Sequence, residues 1–127
     1  MGIERLTTNP ASGFSDAVTA VGPGRLIHVS GNVGFGADGK VVSGGMGAEA
    51  RATFDNIEAT LEQAGARMSD VVKINAFVTS LEEYGDYALA RAERFGEQLP
   101  ASATVQVAGL LVGAQIEIDA VAFVPSS

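Results

Sequence analysis

The sequence predicts an α+β fold in which two helices cover one face of a mixed six-stranded sheet. Two segments with helical spacing of apolar residues, 48–64 and 81–98, alternate with six short β-rich runs in the order strand, strand, strand, helix, strand, helix, strand, strand. The last strands are apolar on both sides, and two helices cover only one face of such a sheet. We therefore expect the other face to be covered by association with further chains.

Length and composition agree with this expectation. A chain of 127 residues fits one domain, residues 1–127. Hydrophobic residues make up 46% and charged residues only 18%. A small domain has a large surface to cover with polar groups, so this low charge indicates that other subunits bury part of it.

The same counts exclude several classes of function. The net charge is −7 with eight scattered Lys and Arg, and aromatic residues make up 6%, so no nucleic-acid partner is predicted. The chain has no cysteine and one histidine, so we predict no disulfide, no metal site and no cofactor. No secretory signal and no apolar run of about 20 residues is visible, so we expect no membrane partner and a cytoplasmic location.

The first third of the chain predicts strands and a long loop. Residues 3–8 suit a short edge strand. The runs 14–21 and 25–33 flank the turn sequence GPG, which predicts that they form a hairpin. The stretch 34–47 is rich in glycine without the spacing of a phosphate-binding loop, so it predicts a plain loop around a turn at Asp38 and Gly39.

The middle of the chain predicts helix, strand and helix. In segment 48–64, Ala50, Phe54, Ile57 and Leu61 recur at helical spacing, and Gly65 follows where helices favour glycine. The run 71–79 alternates with one fully apolar face, as a strand does. A second helix is predicted over 81–98, with Ser80 and Glu83 in the positions of a capping box.

The last quarter of the chain, residues 100–124, predicts two neighbouring strands around a break at 109–113. The second strand is apolar except for Glu117 and Asp119, whose carboxylates are costly to bury. Two interpretations stay open: both face a solvated rim or pair with Arg91 or Arg94, or one of them is a general acid or base tuned by partial burial.

Four further candidate residues have weaker functional signals. His28 in a strand suits a hydrogen-bonded structural role, and Phe14 suits core or interface packing. Ser30 and Gly31 at a strand end either present backbone amides to a ligand or simply end the strand.

Taken together, an ordered set of segments resembles the RidA/YjgF family of reactive-intermediate (enamine/imine) deaminases over nearly the whole chain. The segments that carry the resemblance are FSDAV (14–18), LIHVSG (26–31), TFDNI (53–57), VVKINAFV (71–78), PA (100–101), TVQVA (104–108) and IEID (116–119). The resemblance implies a chorismate-mutase-like fold and a homotrimer with ligand clefts between subunits.

The resemblance also implies residue roles. In the deaminases an arginine binds the substrate carboxylate, and a glutamate positions the water that hydrolyses the imine. Glu117 matches this glutamate, and Phe14 lies where an aromatic residue lines the cleft. By the same resemblance, Ser30, Gly31 and Thr104 would shape the cleft and bind substrate.

Two departures set this chain apart. Ser102 occupies the position of the carboxylate-binding arginine, and Ala88 that of a helical asparagine. Serine cannot make the bidentate contact of a guanidinium, which places the chain in an arginine-lacking branch. Arg91, one turn after Ala88, either reaches the cleft or is solvated or salt-bridged, and we favour the second interpretation.

Two functional hypotheses follow. The first is hydrolysis of a small imine, enamine or related reactive metabolite, with Glu117 as the base and Ser102 beside the bound substrate. The alternative is a non-catalytic, trimeric metabolite-binding protein. Ribonuclease activity is disfavoured by the negative charge.

Overall fold

The computed structural model describes residues 2–126, and its elements follow the predicted order along the chain. The strands and helices are β1 (Gly2–Leu6), β2 (Ala17–Val21), β3 (Gly24–Asn32), α1 (Met46–Gln63), β4 (Val71–Val78), α2 (Tyr84–Phe95), β5 (Ala101–Gln106) and β6 (Ile116–Pro125). No helix in this part of the chain is long and apolar enough to cross a membrane.

The six strands form two ladders joined by one bridge. β1 and β2 pair antiparallel, and the other four strands lie in the order β3-β6-β4-β5. A parallel bridge between Ser15 and Ala101 joins the residues before β2 to the start of β5. β4 and β5 are parallel, whereas β6 is antiparallel to both of its neighbours. The predicted mixed sheet with two helices is therefore confirmed, with four strands in one ladder and with β1 and β2 in a separate two-stranded ladder.

Two predicted strand pairings are wrong. β2 does not form a hairpin with β3, because β2 pairs with β1 and β3 pairs with β6, from Gly24 opposite Pro125 to Asn32 opposite Ile118. β5 and β6 are not neighbours either, because β4 lies between them. β3 instead pairs along nearly its whole length with β6, a strand of ten residues near the other end of the chain.

Both helices pack on one face of the four-stranded ladder. Alternate residues of β4 and β6 point towards them, because successive strand residues project to opposite faces. Phe54 of α1 contacts Phe95 edge to face at 5.6 Å between ring centroids and stacks on Tyr87 at 6.3 Å. The fully buried side chains of this core include Phe54, Ile57, Leu61, Val71, Ile74, Val78, Tyr87, Ile116 and Ile118.

The second helix is shorter than predicted. Residues Leu81–Glu83 form a 3₁₀ turn, in which the Oγ of Ser80 accepts a hydrogen bond from the amide of Glu82 at 3.3 Å. Ser80 therefore caps this turn, and α2 begins at Tyr84. The first helix begins two residues earlier than predicted, at Met46.

Salt bridges tie the two helices together on their outer side. Arg94 of α2 pairs with Asp55 and Glu58 of α1, and Arg51 pairs with Glu93 at 2.9 Å. Arg94 therefore pairs with carboxylates of α1 and not with Glu117 or Asp119. The predicted pairing of those two carboxylates with Arg94 is therefore wrong.

Candidate functional site

The predicted site residues divide between the two faces of the sheet. Ser102 is the register partner of Ile74, a core residue beneath the helices. Glu117 is the register partner of Phe77, one of the residues of β4 that face away from the helices. Register partners point to the same face, so Ser102 faces the helices and Glu117 faces away from them.

Glu117 lies in a small open cavity of about 210 Å³. The cavity is lined by Gly31, Asn32, Val33, Phe35, Leu111, Val112 and Glu117. Of these residues Glu117 alone is charged, and most of the others are apolar. A single carboxylate in a small apolar cleft is suited to proton transfer with a small ligand.

Gly31 is needed for the observed position of the Glu117 carboxylate. A Cβ at residue 31 would overlap Oε2 of Glu117. The two predicted site residues are therefore in direct contact, although 86 positions separate them in the chain.

We expect Gly31→Ala to lower the rate of the proposed hydrolysis about tenfold to a hundredfold, because the new methyl group displaces the carboxylate from its position. The glutamate is a flexible side chain and can turn aside, so the melting temperature should stay nearly constant. Steady-state kinetics and thermal unfolding measure the two effects. Gly85→Ala is the control, since an added Cβ at Gly85 meets nothing within 4 Å. An unchanged kcat in Gly31→Ala would contradict the assigned geometry.

The loop before β6 carries backbone strain at the cavity. Val112 has a φ of 55°, a left-handed conformation that is rare for a β-branched residue. Its side chain is 64% exposed and that of Leu111 is 80% exposed. Strain of this kind costs about 1–3 kcal/mol and is often found at ligand sites.

A buried carboxylate that the sequence did not reveal anchors this loop. Glu49 of α1 is 3% exposed, and its Oε1 accepts a hydrogen bond from the amide of Gln115 at 2.8 Å. Gln115 lies two residues before Glu117, so Glu49 fixes the start of β6 against α1. The helical pattern placed Glu49 outside the apolar stripe, and no local signal marks its distant partner.

Asp119 has a structural partner. Nδ2 of Asn75 on β4 donates to Oδ1 of Asp119 at 3.0 Å. This hydrogen bond gives Asn75 and Asp119 a structural role on the face away from the helices.

The second group of predicted site residues surrounds Arg91 of α2. The guanidinium carbon of Arg91 lies 5.7 Å from the ring centroid of Phe14, 5.6 Å from Tyr84 and 5.2 Å from Tyr87. Its Nη2 donates to the carbonyl of Ser12 at 3.1 Å. Arg91 is 2% exposed and makes no salt bridge within residues 2–126. The prediction of a solvated or salt-bridged Arg91 is therefore wrong, because aromatic rings cover it.

Three polar atoms of this group are buried without a hydrogen-bonding partner in the described part of the chain: Tyr87 Oη, Arg91 Nε and Ser102 Oγ. Burial raises the pKa of the Tyr87 phenol, and the nearby Arg91 guanidinium and the hydroxyls of Ser102 and Thr104 oppose that rise. The phenol therefore stays protonated at neutral pH. We call Phe14, Tyr87, Arg91, Ser102 and Thr104 the arginine cluster.

The raised pKa of Tyr87 predicts a loss of stability at alkaline pH. The unfolded chain releases the phenolic proton near pH 10, whereas the folded chain retains it to higher pH. This contribution is therefore present below about pH 10 and is lost as the pH rises further. We expect Tyr87→Phe to abolish this alkaline loss of stability, and Tyr84→Phe is the control.

Urea unfolding between pH 7 and pH 11 measures this difference. At neutral pH Tyr87→Phe should be as stable as the parent or more stable, since it removes an unpartnered buried hydroxyl. A clear loss of stability at neutral pH would show that the hydroxyl is bonded.

Two sequence candidates lie outside both groups. Ser30 is exposed, its carbonyl accepts from Nδ2 of Asn32 at 2.8 Å, and it does not line the cavity. His28 is exposed on β3, in register with Val121.

Comparisons with known proteins agree with this architecture. Residues 5–124 match the family model described as endoribonuclease L-PSP. The chain is 33% identical over 117 residues to a 2-iminobutanoate/2-iminopropanoate deaminase of Dermatophagoides farinae, covering 91% of this chain and 89% of that protein. Among solved structures, the Rid-family protein YyfB of Yersinia pestis superposes with a TM-score of 0.83 at 29% identity, covering 96% and 98% of the two chains. TdcF of E. coli with bound serine gives a TM-score of 0.73 at 27% identity, covering 84% and 91%.

Proposed function

Because this chain belongs to the RidA/YjgF (Rid) family, we propose that it hydrolyses a small reactive imine, with Glu117 positioning and activating the attacking water. The observation that carries this proposal is the placement of Glu117. Its carboxylate lies in a small apolar cavity, beside a glycine that leaves room for it, and makes no salt bridge within residues 2–126. An unpaired carboxylate is free to accept a proton.

The reaction needs only water and proton transfer. Glu117 takes a proton from water as the water oxygen bonds to the imine carbon, and the π electrons of the C=N bond move to nitrogen. The nitrogen then gains two protons: Glu117 returns the one it took from water, and the hydroxyl of the carbinolamine gives up the other as its oxygen forms the carbonyl. The C–N bond breaks, ammonia leaves and a carbonyl compound remains. One carboxylate that acts first as base and then as acid is sufficient for both halves.

The size of the cavity and the relatives support a short 2-imino acid as substrate. A cavity of about 210 Å³ suits a metabolite of a few carbon atoms. The names of the deaminase relatives specify 2-iminobutanoate and 2-iminopropanoate, and the TdcF structure contains serine, an amino acid of similar size.

The proposed site is built from two chains of a homotrimer. Glu117 and Ser102 point to opposite faces of one sheet, so a small ligand cannot touch both within a single chain. The face away from the helices also carries Leu26 at 58% and Val105 at 47% exposure, apolar side chains that a neighbouring subunit would cover.

Turnover of an imine generated in solution tests the proposal. An amino-acid oxidase releases 2-iminopropanoate from alanine, and we expect this protein to accelerate the formation of pyruvate and ammonia. The oxidase alone and the Glu117→Gln variant are the controls. Equal rates with and without the protein would contradict the proposal.

The alternative function is ligand binding without turnover. It is favoured by Ser102, which stands where the resemblance places the carboxylate-binding arginine. Saturable binding of pyruvate or 2-oxobutanoate without any acceleration of imine hydrolysis would support this alternative.

RNA cleavage, which the description of the family model names, is not proposed for this chain. RNA binding requires cationic side chains that are free to contact phosphates. Here the net charge is −7, and five of the six arginines are engaged within residues 2–126, Arg25 by donating to the carbonyl of Ala64. Arg51 and Arg94 form salt bridges, Arg5 donates to three backbone carbonyls, and Arg91 is buried.

A further inference from the structure

We propose that Arg91 binds the carboxylate of the ligand, in place of an arginine at position 102. The guanidinium would reach the ligand from α2 rather than from β5. This inference rests on the proposed function for the choice of ligand, whereas the case for an anion at Arg91 stands on the geometry of the arginine cluster.

The positive charge of Arg91 has no compensating carboxylate within residues 2–126. A buried cation is costly unless it is paired and hydrogen-bonded. Arg91 carries five N–H donors, of which one makes a hydrogen bond of standard geometry, to the carbonyl of Ser12. Its Nε has no partner among residues 2–126, and no carboxylate lies within salt-bridge distance there. The three aromatic rings stabilise the charge. They accept no hydrogen bond in the guanidinium plane, so apart from the one to Ser12 the N–H groups along its edge have no partner in the described part of the chain.

The guanidinium of Arg91 lies among other buried donors. Tyr87 Oη and Ser102 Oγ are buried and also lack partners in the described chain. Guanidinium, phenol and hydroxyl are all donors to a carboxylate. A ligand carboxylate could accept hydrogen bonds from all three of these donors at once.

Arg91 and Ser102 lie in the same region of the protein. Both lie beside the phenol of Tyr87, since each affects the pKa of that group. A guanidinium attached to α2 at residue 91 therefore serves the same region as one attached to β5 at residue 102. Gly13 makes room for it, because a Cβ there would lie 2.8 Å from Nη2 of Arg91.

Entry of the ligand requires a movement of the cover. Phe14 is half-buried over the guanidinium, and the segment before it is a short 3₁₀ turn over Pro10–Ser12. We infer that the ligand enters by displacing Phe14 and the hydrogen bond of Arg91 to Ser12. The side chain predicted to line the cleft thus lies directly over Arg91.

The test compares a carboxylate with a matched neutral molecule. Calorimetry measures the binding of pyruvate and of pyruvamide to the parent protein and to Arg91→Lys, which keeps the charge and loses the planar fork. We expect pyruvate to bind the variant about tenfold to a hundredfold more weakly, with pyruvamide unchanged. Arg91→Met should lose pyruvate binding entirely. If Arg91→Met does not fold, Arg91→Lys alone decides.

Two outcomes overturn the inference. One is equal pyruvate affinity in the parent and the folded variants, which assigns Arg91 a purely structural role beneath Phe14. The other is no pyruvate binding to the parent at millimolar concentration. Failure of the proposed function is distinguishable: pyruvate binding through Arg91 without imine hydrolysis leaves this inference intact and refutes turnover. Conversely, imine hydrolysis with the same KM in the parent and in Arg91→Lys supports the proposed function and refutes carboxylate binding by Arg91.

Discussion

Replacing Ser102 with arginine is expected to destabilise the folded protein by about 2–4 kcal/mol, because the site already holds a guanidinium. The new side chain would enter the buried region around Tyr87, next to Arg91 and without a carboxylate partner within residues 2–126. Urea unfolding at neutral pH measures the effect. Ser102→Met is the control, since it adds similar bulk without charge and should cost less. Equal losses in both variants would mean that volume alone is responsible.

Transferring the arginine from position 91 to position 102 should restore the stability that Ser102→Arg alone loses. We expect the double variant Arg91→Ser with Ser102→Arg to recover most of the stability and to bind pyruvate more tightly than either single variant. The reason is that one guanidinium again lies beside Tyr87, now delivered from β5. Additive losses in the double variant would contradict a shared location, since independent sites do not compensate each other.

Glu117→Gln is expected to lower kcat for imine hydrolysis by about 10²–10⁴, with little change in KM or stability. An amide cannot take the proton of the attacking water. The side chain makes no salt bridge in the described chain, so removing its charge should leave the stability nearly unchanged. Steady-state kinetics with oxidase-generated imine measure the change.

Asp119→Asn is the matched control for this variant. Asp119 lies on the same strand face, two residues further on, and accepts from Asn75, which an asparagine oxygen can also do. We expect nearly full activity. Comparable losses in both variants would assign the effect to the charge of the strand rather than to Glu117.

The sequence predicted the elements better than their pairing. The helix at 48–64 and the strand at 71–79 were placed within about two residues, because their apolar periodicity reflects burial on one face. The pairing of β3 with β6 was missed, since strands adjacent in the chain compete with strands about 95 residues away and no local pattern decides between them. The family resemblance, in contrast, carried the fold as a whole.

The candidate site shows the same limit at the level of side chains. Glu117 and Gly31 were both singled out, and the structure brings them into contact. Arg91 and Glu49 were misjudged, because a charged residue in a helix is assigned to the surface when only its own helix is considered. Phe14 covers Arg91, and the amide of Gln115 donates to Glu49, and both partners come from distant parts of the chain.

Glu117 of one chain and Arg91 of another form the proposed site, and chain mixing tests this arrangement most directly. Glu117→Gln and Arg91→Met chains, each inactive in imine hydrolysis, are unfolded together and refolded at equal amounts. Random assembly of a trimer with three such interfaces should restore about a quarter of the parent activity per site. If the mixture is no more active than the average of the two variants measured separately, the two residues do not act across an interface, and the proposed inter-subunit site is refuted.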